Sequence, residues 1–406
     1  MSPVQVTSAS TRWRARLLLL LGSVLVALAC VEVGLRWAGP RLFQDTFVVR
    51  DPVLGWALRP NFSGWETEEN TLWVRTNSAG FNDEERSVEK TPGKVRVALI
   101  GDSYVHSYYV PRDRSYAAFL ERDLSHCLPT PGGIEVLSFG VTQYATAQEL
   151  LLYQSRVAAY APDLVLLSFF TKNDIVDNNR DLSHEDAPFF YRKDGKLELD
   201  TSFRRLLPAP PRSPPRPPPL ESLTDHSRTV LFLNQRLAGI LTQGVSTENR
   251  ERPMPDDELE RATYAPPARA EVAEAWSITE ALLSEFNRQV AANGGEFWLV
   301  TLANDKQVDP NPDRRTAYAR SLGVDDLFYP DRRLAAFARA HDIHAVSLAE
   351  PLASYAASTG TYLNGGVNMA LGVGHWNETG NRMAAALTAE AVCAGSAALA
   401  GPRPHD

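Results

Sequence analysis

At 406 residues, with 44% hydrophobic and 22% charged side chains, the chain has room for one large core or two domains and lacks the composition of a disordered protein. Its formal net charge of -8, with no basic block beyond the N-terminus, argues against nucleic acid as a partner, because phosphate binding needs clustered Lys and Arg. The three cysteines, Cys30, Cys127 and Cys393, form no C-x-x-C pair, so no zinc site is read from them.

The first element is a membrane segment. Residues 1–16 carry Arg12, Arg14 and Arg16, and the charge-free run Leu17 to Val31 follows. Extended through Ala38, the run is long enough to span a bilayer, which takes about 20 residues. The arginines favour an N-terminus inside the cell, which would place the rest of the chain outside the cytoplasm. A lipoprotein signal acylated at Cys30 is the alternative, although Ala27 stands where such signals usually carry leucine. Either reading tethers the chain to a membrane and exports it. With Cys30 in this segment, Cys127 and Cys393 are left either to pair or to remain buried thiols.

Residues 39–94 are rich in Trp, Asn, Gly and turn residues and read as short strands forming a small accessory layer. From Val95 the pattern changes. Apolar runs at 95–100, 134–139, 163–170, 297–302 and 343–348 alternate with helical stretches at 115–128, 146–161, 268–292 and 331–341, and a last helix covers about 377–393. Buried strands alternating with amphipathic helices predict an α/β domain, doubly wound about a parallel sheet, over 95–396. The alternation breaks at 176–265. This Pro-rich insertion holds eight prolines between Pro208 and Pro219, so 205–223 reads as an extended loop, flanked by an amphipathic helical pattern at 230–241. Residues 397–406 form a tail.

Chemistry-bearing residues follow the strands directly. Gly101-Asp102-Ser103 follows the first, Gly140 the second and Asn173-Asp174 the third, while His375 stands at the entrance of the last helix. In doubly wound sheets ligands bind outside the carboxyl ends of the strands, so these residues are expected at one place. A serine hydroxyl needs a base to become a nucleophile, and the oxyanion it generates needs donors. Ser103 with His375, and the Ser103 amide, the Gly140 amide and the Asn173 side chain, supply both. Asp102 and Asp174 read as loop-holding residues and Asn377 as a helix cap. His106, Tyr108, Tyr109 and Tyr144 are candidates to touch substrate or simply to pack. The spacing of His341 and His344 does not suggest a metal site, and no cofactor is called for.

Together, Gly101-Asp102-Ser103, Gly140, Asn173-Asp174 and His375-Trp376-Asn377 resemble the blocks of the SGNH (GDSL-type) hydrolases, over roughly 95–175 and 363–392. GWALRPN and TNSAGFNDEE also resemble stretches in membrane-anchored bacterial proteins of that group. The resemblance implies a flavodoxin-like three-layer α/β/α sandwich with a five-stranded parallel sheet. It implies Ser103 as nucleophile, His375 as base, and Gly140 and Asn173 in the oxyanion hole. One feature departs from the pattern: the family's aspartate two or three residues before the histidine is replaced by Val373 or Gly372. The reading favoured here is a Ser–His dyad oriented by a backbone carbonyl of Gly372 or Val373. The other two are a carboxylate from elsewhere in the chain, or loss of activity. The function expected is an esterase or O-acyltransferase acting on an ester of a cell-envelope glycan or lipid, and the alternative is a catalytically inactive binding protein on the same fold.

Overall fold

The structure is a computed structural model describing residues 9–42, 47–127, 132–183, 185–206, 227–230, 232–233 and 254–396. The proline run, most of 230–241 and the tail 397–406 lie outside the described residues. The chain divides into two compact units, Met1–Gln44 with Ala209–Asn249, and Asp45–Pro208 with Arg250–Asp406.

The first unit contains helix α1 (Ala9–Leu42). Within it, Trp13–Ala38 is long and apolar enough to cross a membrane, and its leucines and valines other than Leu35 are exposed.

The second unit is built on five parallel strands, β5 (Val95–Gly101), β6 (Ile134–Gly140), β7 (Leu164–Phe170), β10 (Glu296–Leu302) and β11 (His344–Ser347), in the order β11-β10-β7-β5-β6. Numbered by appearance within the sheet, this is the 2-1-3-4-5 order of flavodoxin-like folds, with its switch point between β5 and β7. The strands are apolar on both faces, and their alternation divides the core. Ala98, Ile100, Leu137, Phe139, Val165 and Leu167 face one layer, which holds helices α4 (Thr146–Ser155), α7 (Ala270–Ala292) and α9 (Tyr329–Ala340). Val97, Leu99, Val136, Leu164 and Leu166 face the other, which holds α3 (Tyr116–Cys127), α10 (Ala349–Thr359) and α11 (Glu378–Gly395). The sequence prediction of an α/β sandwich with a five-stranded parallel sheet agrees with this arrangement.

Two antiparallel hairpins precede the sheet: β1 (Val48–Asp51) with β2 (Gly55–Leu58), and β3 (Ser63–Glu66) with β4 (Leu72–Arg75). Leu54, Leu58, Val74 and Phe81 from this region join the core cluster of the α4 face. Asn82 Nδ2 donates to the His106 carbonyl at 2.8 Å, and the Ser138 N–H donates to Asp83 at 3.2 Å, so the TNSAGFNDEE stretch is stitched beneath the first site loop.

Within the insertion 176–265 the described residues contain regular structure on either side of the proline run. A hairpin of β8 (Phe189–Lys193) and β9 (Lys196–Asp200) turns at Asp194-Gly195, and helix α6 (Asp256–Thr263) precedes α7. Asp194 and Gly195 have φ of 51° and 76°, the two positive values that a type I′ turn requires. The proline run dominated the composition and masked this signal.

Cys127 at the end of α3 and Cys393 near the end of α11 form a disulfide with a Cα–Cα distance of 6.3 Å, joining two helices that pack on the same face. Of the two states left open by the sequence, the structure has the paired one.

Candidate active site

Ser103 opens the four-residue helix α2 (Ser103–His106) immediately beyond β5. The cap of α2 is Asp102, whose Oδ1 accepts the Tyr104 N–H at 2.9 Å, so the Ser103 hydroxyl is left out of capping. Gly101 and Gly140 are register partners at the carboxyl ends of β5 and β6. A Cβ on Gly140 would lie 2.1 Å from the His106 nitrogen, so only glycine lets β6 end against the first turn of α2. Asn173 is the residue before helix α5 (Asp174–Asp177), which follows β7, and its Oδ1 is buried without a hydrogen-bond partner. Asp174 Oδ2 accepts the Phe170 N–H at 2.8 Å and closes that loop.

His375 arrives from the far end of the chain, on a loop pinned at both ends. Gly365 N–H donates to the His375 carbonyl at 3.0 Å, Asn377 N–H donates to the Leu363 carbonyl at 2.9 Å, and Asn364 Nδ2 donates to the Gly374 carbonyl at 2.7 Å. Asn377 caps α11 through the Gly380 N–H. This loop brings His375 Nε2 to 2.7 Å from Ser103 Oγ.

The second ring nitrogen has a partner that the sequence did not reveal. His375 Nδ1 lies 2.6 Å from Oε1 of Glu69, and the backbone N–H of His375 donates to Glu69 Oε2 at 2.9 Å. The expected carbonyl of Gly372 or Val373 is not the partner; a carboxylate 306 positions away is. Glu69 lies in the loop between β3 and β4, and its side chain is only 6% exposed. The loop is sewn to the histidine loop, where Asn368 N–H donates to the Glu69 carbonyl at 2.9 Å and Val367 N–H to Asn70 Oδ1 at 2.8 Å, and to the segment after α2, where Asn70 Nδ2 donates to the Tyr109 carbonyl at 2.5 Å. Gly374 explains how the carboxylate fits. Its φ is +84°, and a Cβ there would sit 2.6 Å from Glu69 Oε1. Glycine before the histidine therefore leaves room for an acid delivered from the hairpin.

An ionised carboxylate accepts hydrogen bonds only. His375 thus keeps its proton on Nδ1, facing Glu69, and presents Nε2 as acceptor to the Ser103 hydroxyl. Tyr109 stacks on the imidazole with ring centroids 4.1 Å apart, and Tyr104 lies 4.9 Å away on a tilt. Burial, followed by the charges of Glu68 and Glu69, raises the Tyr109 hydroxyl above its ordinary range, so Tyr109 remains neutral.

Of the other candidate side chains, His106 is buried with Nδ1 2.8 Å from Thr142 Oγ1, and Tyr108 and Tyr144 are buried, the latter donating to the Trp56 carbonyl at 2.5 Å. These pack beneath the site rather than line an open cleft. Three carboxyls are also buried behind the strand ends. Burial pushes Asp102 up to about 6, and burial with the neighbouring carboxyls raises Glu149 and Asp174 well above the usual carboxylate range.

The comparisons with known proteins bear on the fold. Its structural neighbours include proteins described as esterases, lipases and acylhydrolases. The fold is similar to that of an acetyl xylan esterase, at 13% identity and a TM-score of 0.36, covering 73% of this chain and 100% of that one. It is similar to a lipase/acylhydrolase from Enterococcus faecalis, at 12% identity and a TM-score of 0.36, covering 74% and 96%. It is also similar to a GDSL-like lipase from Bacteroides thetaiotaomicron, at 14% identity and a TM-score of 0.30, covering 73% and 87%. No family model and no curated protein matches the sequence.

Proposed function

We propose that the chain is a membrane-anchored, extracytoplasmic serine esterase or O-acyltransferase acting on an ester of a cell-envelope glycan or lipid. The observation that carries this reading is the continuous chain Ser103 Oγ, His375 Nε2, His375 Nδ1, Glu69 Oε1, with links of 2.7 and 2.6 Å. Nucleophile, base and orienting acid are each within hydrogen-bond reach of the next, which is the constellation of a serine acyl-transfer enzyme.

In this mechanism Ser103 gives its proton to His375 Nε2 as Oγ attacks the ester carbonyl. The Ser103 N–H, the Gly140 N–H and the Asn173 side-chain amide are the donors for the oxyanion, each worth about 2.7–4 kcal/mol if lost. The imidazolium is held against Glu69, then protonates the leaving alcohol, and an acyl-enzyme forms on Ser103. Water or a sugar hydroxyl, deprotonated by His375, completes the turnover. Hydrolysis and transfer use the same residues and differ in the acceptor. The catalytically inactive alternative draws its support from the missing aspartate before the histidine, and the Glu69 carboxylate 2.6 Å from His375 Nδ1 weighs against it.

The anchor reading rests on Trp13–Ala38 with Arg14 and Arg16 at its start. The test of the activity is labelling of the full chain by a fluorophosphonate, with turnover of 4-nitrophenyl acetate. Ser103→Ala is expected to abolish both. Absence of labelling in the wild-type chain, or turnover that survives Ser103→Ala, refutes the reading.

A further inference from the structure

The apolar helix α1 carries one acid within its membrane-length stretch, Glu32, immediately after the charge-free run that ends at Val31. A carboxylate at or near hydrocarbon is costly unless its oxygens are satisfied, and such residues mark functional contacts. Glu32 is fully engaged, and its main partners come from a distant part of the chain. It accepts the Ser227 hydroxyl at 2.9 Å, the Arg228 N–H at 3.0 Å, the Thr229 N–H at 3.0 Å and the Thr229 hydroxyl at 2.9 Å. Arg36, one turn along α1, also pairs with it at 2.8 Å. Ser227 Oγ in turn accepts the Val230 N–H at 3.3 Å, so the segment starts a helical turn whose first N–H groups donate to the carboxylate.

We infer that Glu32 clamps the segment beginning at Ser227 to the outer end of the membrane helix, and that the segment lies in the bilayer interface. The chemistry on both sides supports it. Two backbone amides and two hydroxyls satisfy the one carboxylate that α1 brings to the end of the hydrocarbon. The segment then continues into Val230, Phe232 and Leu233, with Leu233 53% exposed, apolar surface of the kind an interface accepts. The clamp also bears on processing. A signal sequence that is cleaved off cannot hold a segment nearly 200 positions later, so the clamp requires α1 to remain attached. The inference rests on reading α1 as a membrane helix and is independent of the ester chemistry.

The test uses the full-length chain in nanodiscs of phosphatidylethanolamine and phosphatidylglycerol. Three readouts separate its parts. Intact mass is expected to retain the residues of α1, and a mature chain starting beyond Ala38 overturns both the anchor and the clamp. Hydrogen exchange at the Arg228 and Thr229 amides is expected to be slowed at least tenfold in the wild type, with Glu32→Ala removing that protection; exchange indifferent to Glu32→Ala overturns the clamp alone. A bimane label at Leu233→Cys, in a Cys30→Ser background, is expected to be quenched by spin-labelled lipid. Lack of quenching overturns the interfacial placement. Ester turnover, read in parallel, depends on Ser103 and is expected to stay within twofold of wild type in Glu32→Ala.

Discussion

Replacing Glu69 by Gln tests the site most sharply, because it removes a charge with little change of shape. The carboxylate meets His375 Nδ1 at 2.6 Å and its side chain is 6% exposed, so solvent screens it little. The charge centres of an imidazolium and a carboxylate in this geometry lie about 4 Å apart, which gives about 4 kcal/mol at an effective dielectric near 20. That stabilisation acts when the imidazolium forms, so it belongs to the transition state and corresponds to about a 10³-fold fall in kcat. A Gln amide that turns its NH2 toward Nδ1 also selects the wrong tautomer, which extends the loss toward about 10⁴-fold. KM is expected to stay within twofold, since Glu69 faces the histidine and not the nucleophile's open side. Glu69→Asp withdraws the carboxylate by one C–C bond, about 1.5 Å, and is expected to recover activity only in part. The assay is steady-state turnover of 4-nitrophenyl acetate, with thermal unfolding as the check on the fold. A folded Glu69→Gln variant with kcat within threefold of wild type refutes the role of Glu69.

Three other outcomes follow from the same geometry. Gly374→Ala places a methyl 2.6 Å from Glu69 Oε1 at a φ of +84°, and is expected to lower kcat about 10- to 100-fold in steady-state assays; Gly372→Ala, whose Cβ meets the Tyr362 ring instead, is expected to lose about 1–3 kcal/mol of stability with a smaller loss of kcat. Asp102 has a folded-state pKa of about 6 against an ordinary 3.8, so the folded chain binds the extra proton and loses stability as pH rises through that window, by up to about 3 kcal/mol. Asp102→Asn keeps the Tyr104 cap and removes the charge, so its urea midpoint is expected to exceed that of wild type at pH 8 and to match it below pH 4. Replacing both Cys127 and Cys393 by Ser releases a closed loop of 266 residues and is expected to lower stability by about 2–5 kcal/mol, read as a reduced urea midpoint.

The sheet was legible because each central strand is buried on both faces and announces itself as an apolar run, and the carboxyl ends of β5, β6 and β7 carry Ser103, Gly140 and Asn173 beside the switch point that such sheets offer. The meeting of Ser103 with His375 could be expected from the same reasoning. Glu69 could not. It sits in Thr67-Glu68-Glu69-Asn70, a polar hairpin loop with two adjacent acids and no spacing relation to the histidine. The trace it leaves is negative: the glycine at 374, where a side chain would otherwise stand. That trace was visible, but it could be read as room for a backbone carbonyl as readily as room for a carboxylate from another loop. The type I′ turn at Asp194-Gly195 was missed for a different reason, since its local signal lay inside a region read as a whole from its prolines.

The order of the three residues along the chain has a consequence for how the site comes into being. A chain made from its N-terminus presents Glu69 first, then Ser103, and His375 only after all five strands of the sheet. Until then Ser103 is an ordinary alcohol without a base, and Glu69 a carboxylate without an imidazole. On the proposed mechanism the chain gains an activated nucleophile only once the loop carrying Glu69 and the loop carrying His375 have met. Trimming the protein to the α/β domain from Val95 onward would keep the sheet, Ser103 and His375, and discard the carboxylate that meets His375 Nδ1.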